Sequence, residues 1–366
     1  MRTLLILAAT LLPQEASTLQ DLLNRYTEAL RKAPGPEERD VAARAALADV
    51  QKFIATAKEE ESASRARKIA GDLCRALEDH GGAADHFRKF LETWPKHPKA
   101  ALVRMDLGHE LLAAGQEAAA RAAFEEVVRE NPADPRVFEA RIRIAQSHIT
   151  EKKDEEALTA LAALRKEYKG KPEEWVAALQ EAAAFQIAGR APEGRALLEE
   201  VVRVSPQPDA VNFAKDVLFK WLWLGKPAPA LEGKDLAGAP FAPADQRGKI
   251  VVLSFFSASA KEFPMEAYAL RRLSRAFPAT EVAVMGVAID EDRTRLETDL
   301  KQFRVAWPVL HDGKVFDGPA AAAVRLKSLP LLLVIDRKGV IRAVNPLFSG
   351  HGRELLRFVE GLVAEK

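Results

Sequence analysis

Between Ser17 and about Leu224 the apolar positions recur with helical spacing, and the polar breaks fall between segments of helical length. Ala, Leu, Glu and Arg dominate this stretch, all good helix formers. Phe87, Phe124, Leu161 and Leu198 return at a constant interval of 37 residues, which predicts an array of helical hairpins. Two small-residue series keep the same phase: Gly71, Gly108, Ala145 and Ala182, and Ala83, Ala120, Ala157 and Gly194. Small side chains are needed where the two helices of a hairpin pack closely. Pro95, Pro132 and Pro206 close three units, and in the third unit Lys169 stands there with Pro172 after it. The stretch Thr18 to Thr56 predicts a further hairpin as an N-terminal cap, and Asp209 to Leu224 a capping helix. We read Trp221 and Trp223 in that helix as packing against the next domain rather than as a ligand platform.

The pattern changes after Leu224. A segment rich in Gly, Pro, Ala and Asp precedes two near-continuous apolar runs of strand length, Ile250 to Phe256 and Val282 to Ile289, separated by a helical stretch from Ala260 to Phe277. A helix at Asp292 to Phe303, a strand around Val309 and a short helix near Ala320 follow. A hairpin of Leu331 to Asp336 and Val340 to Val344 comes next, then a closing helix from near His351 to about Val363. Apolar runs in this rhythm predict a largely parallel sheet covered on both faces. The expected organisation is a multidomain chain: residues 1–16 as a leader, 17–224 as an all-α repeat solenoid with capping helices, and 225–366 as an α/β domain.

Composition narrows the chemistry. The chain has 366 residues, 54 Lys+Arg against 53 Asp+Glu, and no global field that would favour nucleic acid. Its one cysteine, Cys74, cannot form an intrachain disulfide or half of a CxxC pair. The seven histidines show no compact ligand spacing, so neither a metal site nor a cofactor is expected. Arg2, the apolar run Leu4 to Leu12, and Pro13 with the small residues near Ala16 fit a secretory signal peptide. The other reading makes that run the start of the first helix and the protein cytoplasmic. With no cysteine after the run, a lipid anchor is not expected, and no later segment reaches the ~20 apolar residues of a membrane span.

The repeat resembles the tetratricopeptide repeat, best in the stretch Ala101 to Pro135, where Leu107, Gly108, Ala120, Phe124 and Pro132 fall in that family's order. Its period is three residues longer than the family's usual 34. The resemblance implies that first-helix residues Met105, His109, Leu112, Ile142, Gln146 and Ile149, with Leu179 and Gln186, line a concave face. That face suits a protein or peptide partner, and equally well occlusion by the second domain.

The last third resembles the TlpA/ResA-like thioredoxins, of the AhpC/TSA-redoxin type, which are extracytoplasmic thiol-disulfide proteins. The likeness runs through LGKPAPAL, DLAGAPFAPADQRGKIVVLSFF, Trp307-Pro308-Val309-Leu310 and VRLKSLPLLLVIDRKGVI. It implies a thioredoxin-like fold with a cis-proline at Pro330, after Leu329. Where the family carries CxxC, Phe256-Ser257-Ala258-Ser259 runs directly into Ala260-Lys261-Glu262-Phe263-Pro264, with both flanks present and four residues deleted.

Thiol-disulfide exchange needs a thiolate and a second, resolving thiol, and serine hydroxyls cannot replace them without a partner base. No catalytic residue is therefore assigned. Ser257, Ser259, Ala260 and Lys261 mark the degenerate redox position, and Ser259 with Glu262 has the spacing of a capping box. A serine hydrolase and a redox protein using Cys74 remain alternatives. The expectation is an exported, non-enzymatic binding or scaffolding protein.

Overall fold

The computed structural model describes residues 14–33, 35–346 and 352–365. The apolar run Leu4 to Leu12 lies outside them. Among the described residues no helix is long and apolar enough to cross a membrane.

Among the described residues eleven helices precede the sheet: α1 (Gln14–Lys32), α2 (Pro36–Thr56), α3 (Glu60–Ala76), α4 (His80–Thr93), α5 (Ala100–Ala113), α6 (Glu117–Glu130), α7 (Arg136–Thr150), α8 (Asp154–Glu167), α9 (Pro172–Ile187), α10 (Ala191–Val204) and α11 (Pro208–Lys220). A single 3-10 turn, Trp221–Trp223, ends this region. The expected N-terminal hairpin is α1 with α2, and the expected capping helix is α11. The chain forms two compact units divided between Ile144 and Ala145, inside α7.

The 37-residue period has a steric origin. Phe87, Phe124, Leu161 and Leu198 are all fully buried. A Cβ built on Gly71 would lie 2.3 Å from the Phe87 ring, and one on Gly108 2.5 Å from the Phe124 ring. Sixteen residues separate the partners in each unit, and where the large residue is Leu, at 161 and 198, the small one has become Ala, at 145 and 182. A flat ring needs the whole volume of the missing methyl; a leucine does not. In the second small-residue series, a Cβ on Gly194 would meet the Ala182 carbonyl oxygen at 2.6 Å, so α9 and α10 touch backbone to backbone there.

In the first unit the inner helices are tied by buried charge. Arg75 of α3 bonds Asp106 at 2.9 Å and Glu110 at 2.5 Å on α5, and His80 Nδ1 lies 2.8 Å from the other Glu110 oxygen. Lys68 bonds Asp72 at 2.7 Å and Asp106 at 3.1 Å. Desolvation works against the Glu110 charge, but its bonds to His80 and Arg75 prevail and hold the carboxyl below its ordinary range.

The second unit continues with β1 (Gly233–Lys234), β2 (Pro240–Phe241), β3 (Ile250–Phe256), α12 (Phe263–Ala276), β4 (Val282–Ala288) and α13 (Arg293–Gln302). After these come β5 (Val309–His311), α14 (Pro319–Ala323), β6 (Leu331–Ile335), β7 (Ile341–Val344) and α15 (Arg353–Ala364). Strands β1 and β2 pair as a small ribbon, and the main sheet has the order β5-β4-β3-β6-β7. β3, β4 and β5 run parallel; β6 and β7 are antiparallel to their neighbours.

All seven residues of β3 are buried, because its alternate side chains enter different cores. Ile250, Val252 and Phe256 pack with Leu270 and Leu273 of α12 and Leu355 and Val359 of α15. Val251, Leu253 and Phe255 belong to a second core that also holds Trp175, Ala182, Leu198, Ala214 and Trp221, from helices α9 to α11 and the turn after them.

Because Gly108 faces an aromatic ring, Gly108→Ala should lower stability by about 1–3 kcal/mol in urea unfolding through overpacking. Adding Phe124→Leu, the pairing used at 145/161 and 182/198, should recover part of that loss. A double variant no more stable than Gly108→Ala alone would refute the steric account.

Candidate functional site

The turn between β3 and α12 is held from both ends. Phe256, the last residue of β3, and Phe263, the first of α12, stack with centroids 4.6 Å apart and planes at 15°. Phe303 meets Phe263 edge-on at 5.5 Å. The Phe256 ring has room because residue 286 on β4 is Gly; a Cβ there would lie 2.8 Å from the ring. Strand end and helix start are thus clamped together, and the six residues from Ser257 to Glu262 must close a short path.

Asp290 closes it. This residue lies just beyond β4, and Phe256 and Ala288 are register partners, so the ends of β3 and β4 coincide. Ser257 Oγ donates to Asp290 Oδ1 at 2.8 Å, and the Ala258 amide donates to Oδ2 at 3.0 Å. The Ser257 proton is committed to the carboxylate, so at the 2.9 Å contact between the two hydroxyls Ser259 is the donor. Lys261 projects into solvent, its side chain 90% exposed, and pairs only with neighbouring Glu262. Ala260 donates its amide to the Ser257 carbonyl at 3.1 Å, a tight turn.

The capping-box reading of Ser259 and Glu262 is corrected. Helix α12 begins at Phe263, three residues later than the sequence suggested, with Glu262 as its N-cap and no side-chain cap bond. Ser259 lies four residues before the first helical residue, and its hydroxyl oxygen accepts from no helix amide. Among the described residues no histidine hydrogen-bonds Ser257 or Ser259. His311, at the end of β5, places Nε2 2.7 Å from the Asp290 carbonyl oxygen. A carbonyl can only accept, so that nitrogen carries a proton and is no base.

Pro330 follows a cis peptide bond after Leu329. Register pairs Phe255 with Leu331, so Leu329 and Pro330 sit one step further along, beside the start of the Ser257 turn. Asn345 holds this corner: its Nδ2 donates to the Pro330 carbonyl at 2.9 Å, and its Oδ1 accepts from the Leu332 amide at 2.6 Å. Asp290, His311 and Asn345 were all missed by sequence reasoning. The signal that could have found them is register, since each lies at the rim where β3, β4, β5 and β6 end or begin.

Beneath the rim, the Ser254 hydroxyl of β3 donates to the buried Glu266 carboxylate of α12. Burial pushes this carboxyl up to about 7, against a downward pull from Ser254. Cys74 is far from thiolate chemistry. It is buried on α3, and burial, followed by the nearby Asp79 and Glu110 charges, pushes its thiol up to about 11.

The residues that the tetratricopeptide resemblance assigns to a concave face lie largely inside the protein. Met105, Leu112, Ile142, Gln146 and Ile149 are buried, and His109 is half-buried. Met105 and Leu112 lie in the same apolar core as Cys74, Phe87 and Phe124. Burial, the largest factor, lowers His109 to about 4, so it is neutral at physiological pH. Gln186, which the resemblance places on the same face, is buried against the edge of the sheet: its amide donates to the Val344 carbonyl at 3.1 Å and accepts from the Val344 amide at 2.8 Å. A surface cleft of about 280 Å³ among α8, α9 and α10 is lined by Arg165, Trp175, Ala178, Leu197 and Val201.

The five-stranded mixed sheet, its order, the helices on both faces and the cis-proline corner define a thioredoxin-like fold that follows an array of helical repeats. Residues 224–344 match the model of the AhpC/TSA family. Solved structures also align with part of the chain. The thioredoxin domain of a thiol-disulfide oxidoreductase from Bacteroides vulgatus is 22% identical, covering 37% of this chain and 97% of its own, with a TM-score of 0.34. A secreted disulfide oxidoreductase of Mycobacterium tuberculosis is 22% identical over 36% of this chain and 96% of its own, TM-score 0.32. A thiol:disulfide interchange protein from a Bacteroides species is 24% identical over 39% and 93%, TM-score 0.34. A comparison with curated proteins finds none that matches.

Glu266 gives the fold a pH signature. Its folded pKa, about 7, lies above the ordinary 4.5, so the folded state binds the extra proton. That contribution is complete below pH 4.5 and is lost as pH rises through 7, by up to about 3 kcal/mol. Urea stability should fall across this window, and Glu266→Gln should remove the slope; an unchanged slope in the variant would contradict the assignment.

Proposed function

We propose that the protein is an exported, redox-inactive binding protein in which the repeat array and the rim of the thioredoxin-like fold engage a protein or peptide partner. The observation that carries this reading is the turn from Ser257 to Glu262, which holds no cysteine and is fastened by Asp290 through Ser257 and Ala258. Exchange would require a thiolate at this point and a second thiol to resolve the mixed disulfide. Here the nearest nucleophilic atoms are hydroxyls committed to a carboxylate and to each other.

The remaining features favour recognition. Backbone on both outer edges of the sheet is already engaged: Ile341 of β7 bonds Gly225 and Lys226, and Leu236 donates to the Val309 carbonyl of β5. An extended peptide that pairs with backbone is therefore directed to the Leu329-Pro330 corner rather than to a free edge. Export rests on the apolar run after Arg2, which reads as a signal peptide and would place the protein in the periplasm or another extracytoplasmic space.

The competing reading is a thiol-disulfide oxidoreductase that borrows a thiol. Insulin reduction with dithiothreitol separates the two: wild type and Cys74→Ala should both match the uncatalysed rate. Turnover by wild type that disappears in Cys74→Ala would establish the borrowed thiol and overturn our reading. Turnover by both would implicate Ser257, Ser259 or an external thiol, and would overturn it equally.

A further inference from the structure

The Leu329-Pro330 corner does not hang from the sheet alone; the loop before it is fastened to the end of the repeat array. Trp223 Nε1, in the turn after α11, donates to the Val324 carbonyl at 3.2 Å. The Lys327 ammonium lies 4.3 Å from the centroid of the Phe219 ring on α11. Ser328 donates its hydroxyl to Asp216 of α11, whose other carboxylate oxygen accepts from Lys220 at 2.7 Å.

Further ties join the same helices to the fold. Gln186 of α9 satisfies both outward backbone groups of Val344 on edge strand β7. Arg357 of α15 forms a two-pronged pair with Asp154 of α8, at 2.6 and 2.9 Å, with only 13% of the arginine side chain exposed. Between these polar ties runs an unbroken apolar core, in which Ala182, Leu198 and Trp221 of the helices join Phe255, Leu333 and Val344 of the sheet. The compact unit that contains the sheet accordingly begins at Ala145.

From these contacts we infer that α8 to α11 and the thioredoxin-like fold are one cooperative folding unit, in which α11 is the positioning element for the loop 324–330. The period explains why. Phe87, Phe124, Leu161 and Leu198 extrapolate to residue 235, where a further second helix would be due, yet that stretch forms coil and the ribbon β1-β2. Helix α11 is left without its repeat partner, and the sheet covers the apolar surface that partner would have covered. A surface of this composition left bare would invite aggregation, as uncapped arrays do.

Native-state hydrogen exchange on the full chain, with added urea, tests this directly. In wild type, the slowest amides of α9 and α10 and those of β3 and β6 should open with equal free energies and equal urea dependence. Gln186→Ala leaves the Val344 amide and carbonyl buried without partners, so exchange at both sets should rise together, by about tenfold or more. Helix amides that open independently of the strands in wild type would overturn the inference. So would Gln186→Ala accelerating the helices while β3 and β6 keep their protection. If Gln186→Ala does not fold, the wild-type comparison still decides, and Arg357→Ala supplies the second variant with the same expectation of parallel change.

Discussion

The bond between the Asp290 carboxylate and the Ser257–Ala258 turn governs the character of the C-terminal fold. β3 is buried at every position, so the chain must leave the middle of the sheet and reach α12 without disturbing either core. The Phe256–Phe263 stack, with ring centroids 4.6 Å apart, ties the two ends of that path together. With so few residues between them, the amide of Ala258 and the hydroxyl of Ser257 need acceptors at the rim, and Asp290 supplies both. The place where a reactive thiol pair would sit is taken up by an internal hydrogen-bond network.

Burial of the sheet on two sides also links the fold to the array. One face is covered by α12 and α15, as the βα alternation in the sequence anticipates. The other draws on Trp175, Leu198, Ala214 and Trp221 from the repeats. The same helices tie down the loop before Pro330 and the β7 edge, so the proposed recognition at Pro330 would depend on residues that also pack the last repeats. A corner supported in this way has little freedom to be remodelled.

Much of this was legible in the sequence, for identifiable reasons. The interval from Phe87 to Phe124 to Leu161 reports a packing requirement local to each hairpin, so it is visible without knowing the superhelix. The strands at Ile250 and Val282 are continuous apolar runs of the right length, and Pro330 stood out because its neighbours matched a known pattern. What escaped notice depends on partners distant in the chain. Asp290 lies 33 positions from Ser257, Asn345 lies 15 from Pro330, and Gln186 lies 158 from Val344. The likeness to a known repeat assigned Met105 and Leu112 to a concave face but left open what lies against it, because a pattern tells which way a side chain points and not what fills the space. Ser259 was misread as a helix cap for a related reason: the local spacing was right, but the turn delays the helix to Phe263.

Closure of this turn rests on the Asp290 clasp, and exchange of the single Ala258 amide measures it most directly. In the full-length protein that amide should be protected although it lies in a turn at the rim, and Asp290→Ala should return it to the rate of an open loop while β3 amides stay protected. An Ala258 amide that exchanges at the open-loop rate in the wild-type protein would contradict the claim that this turn is closed.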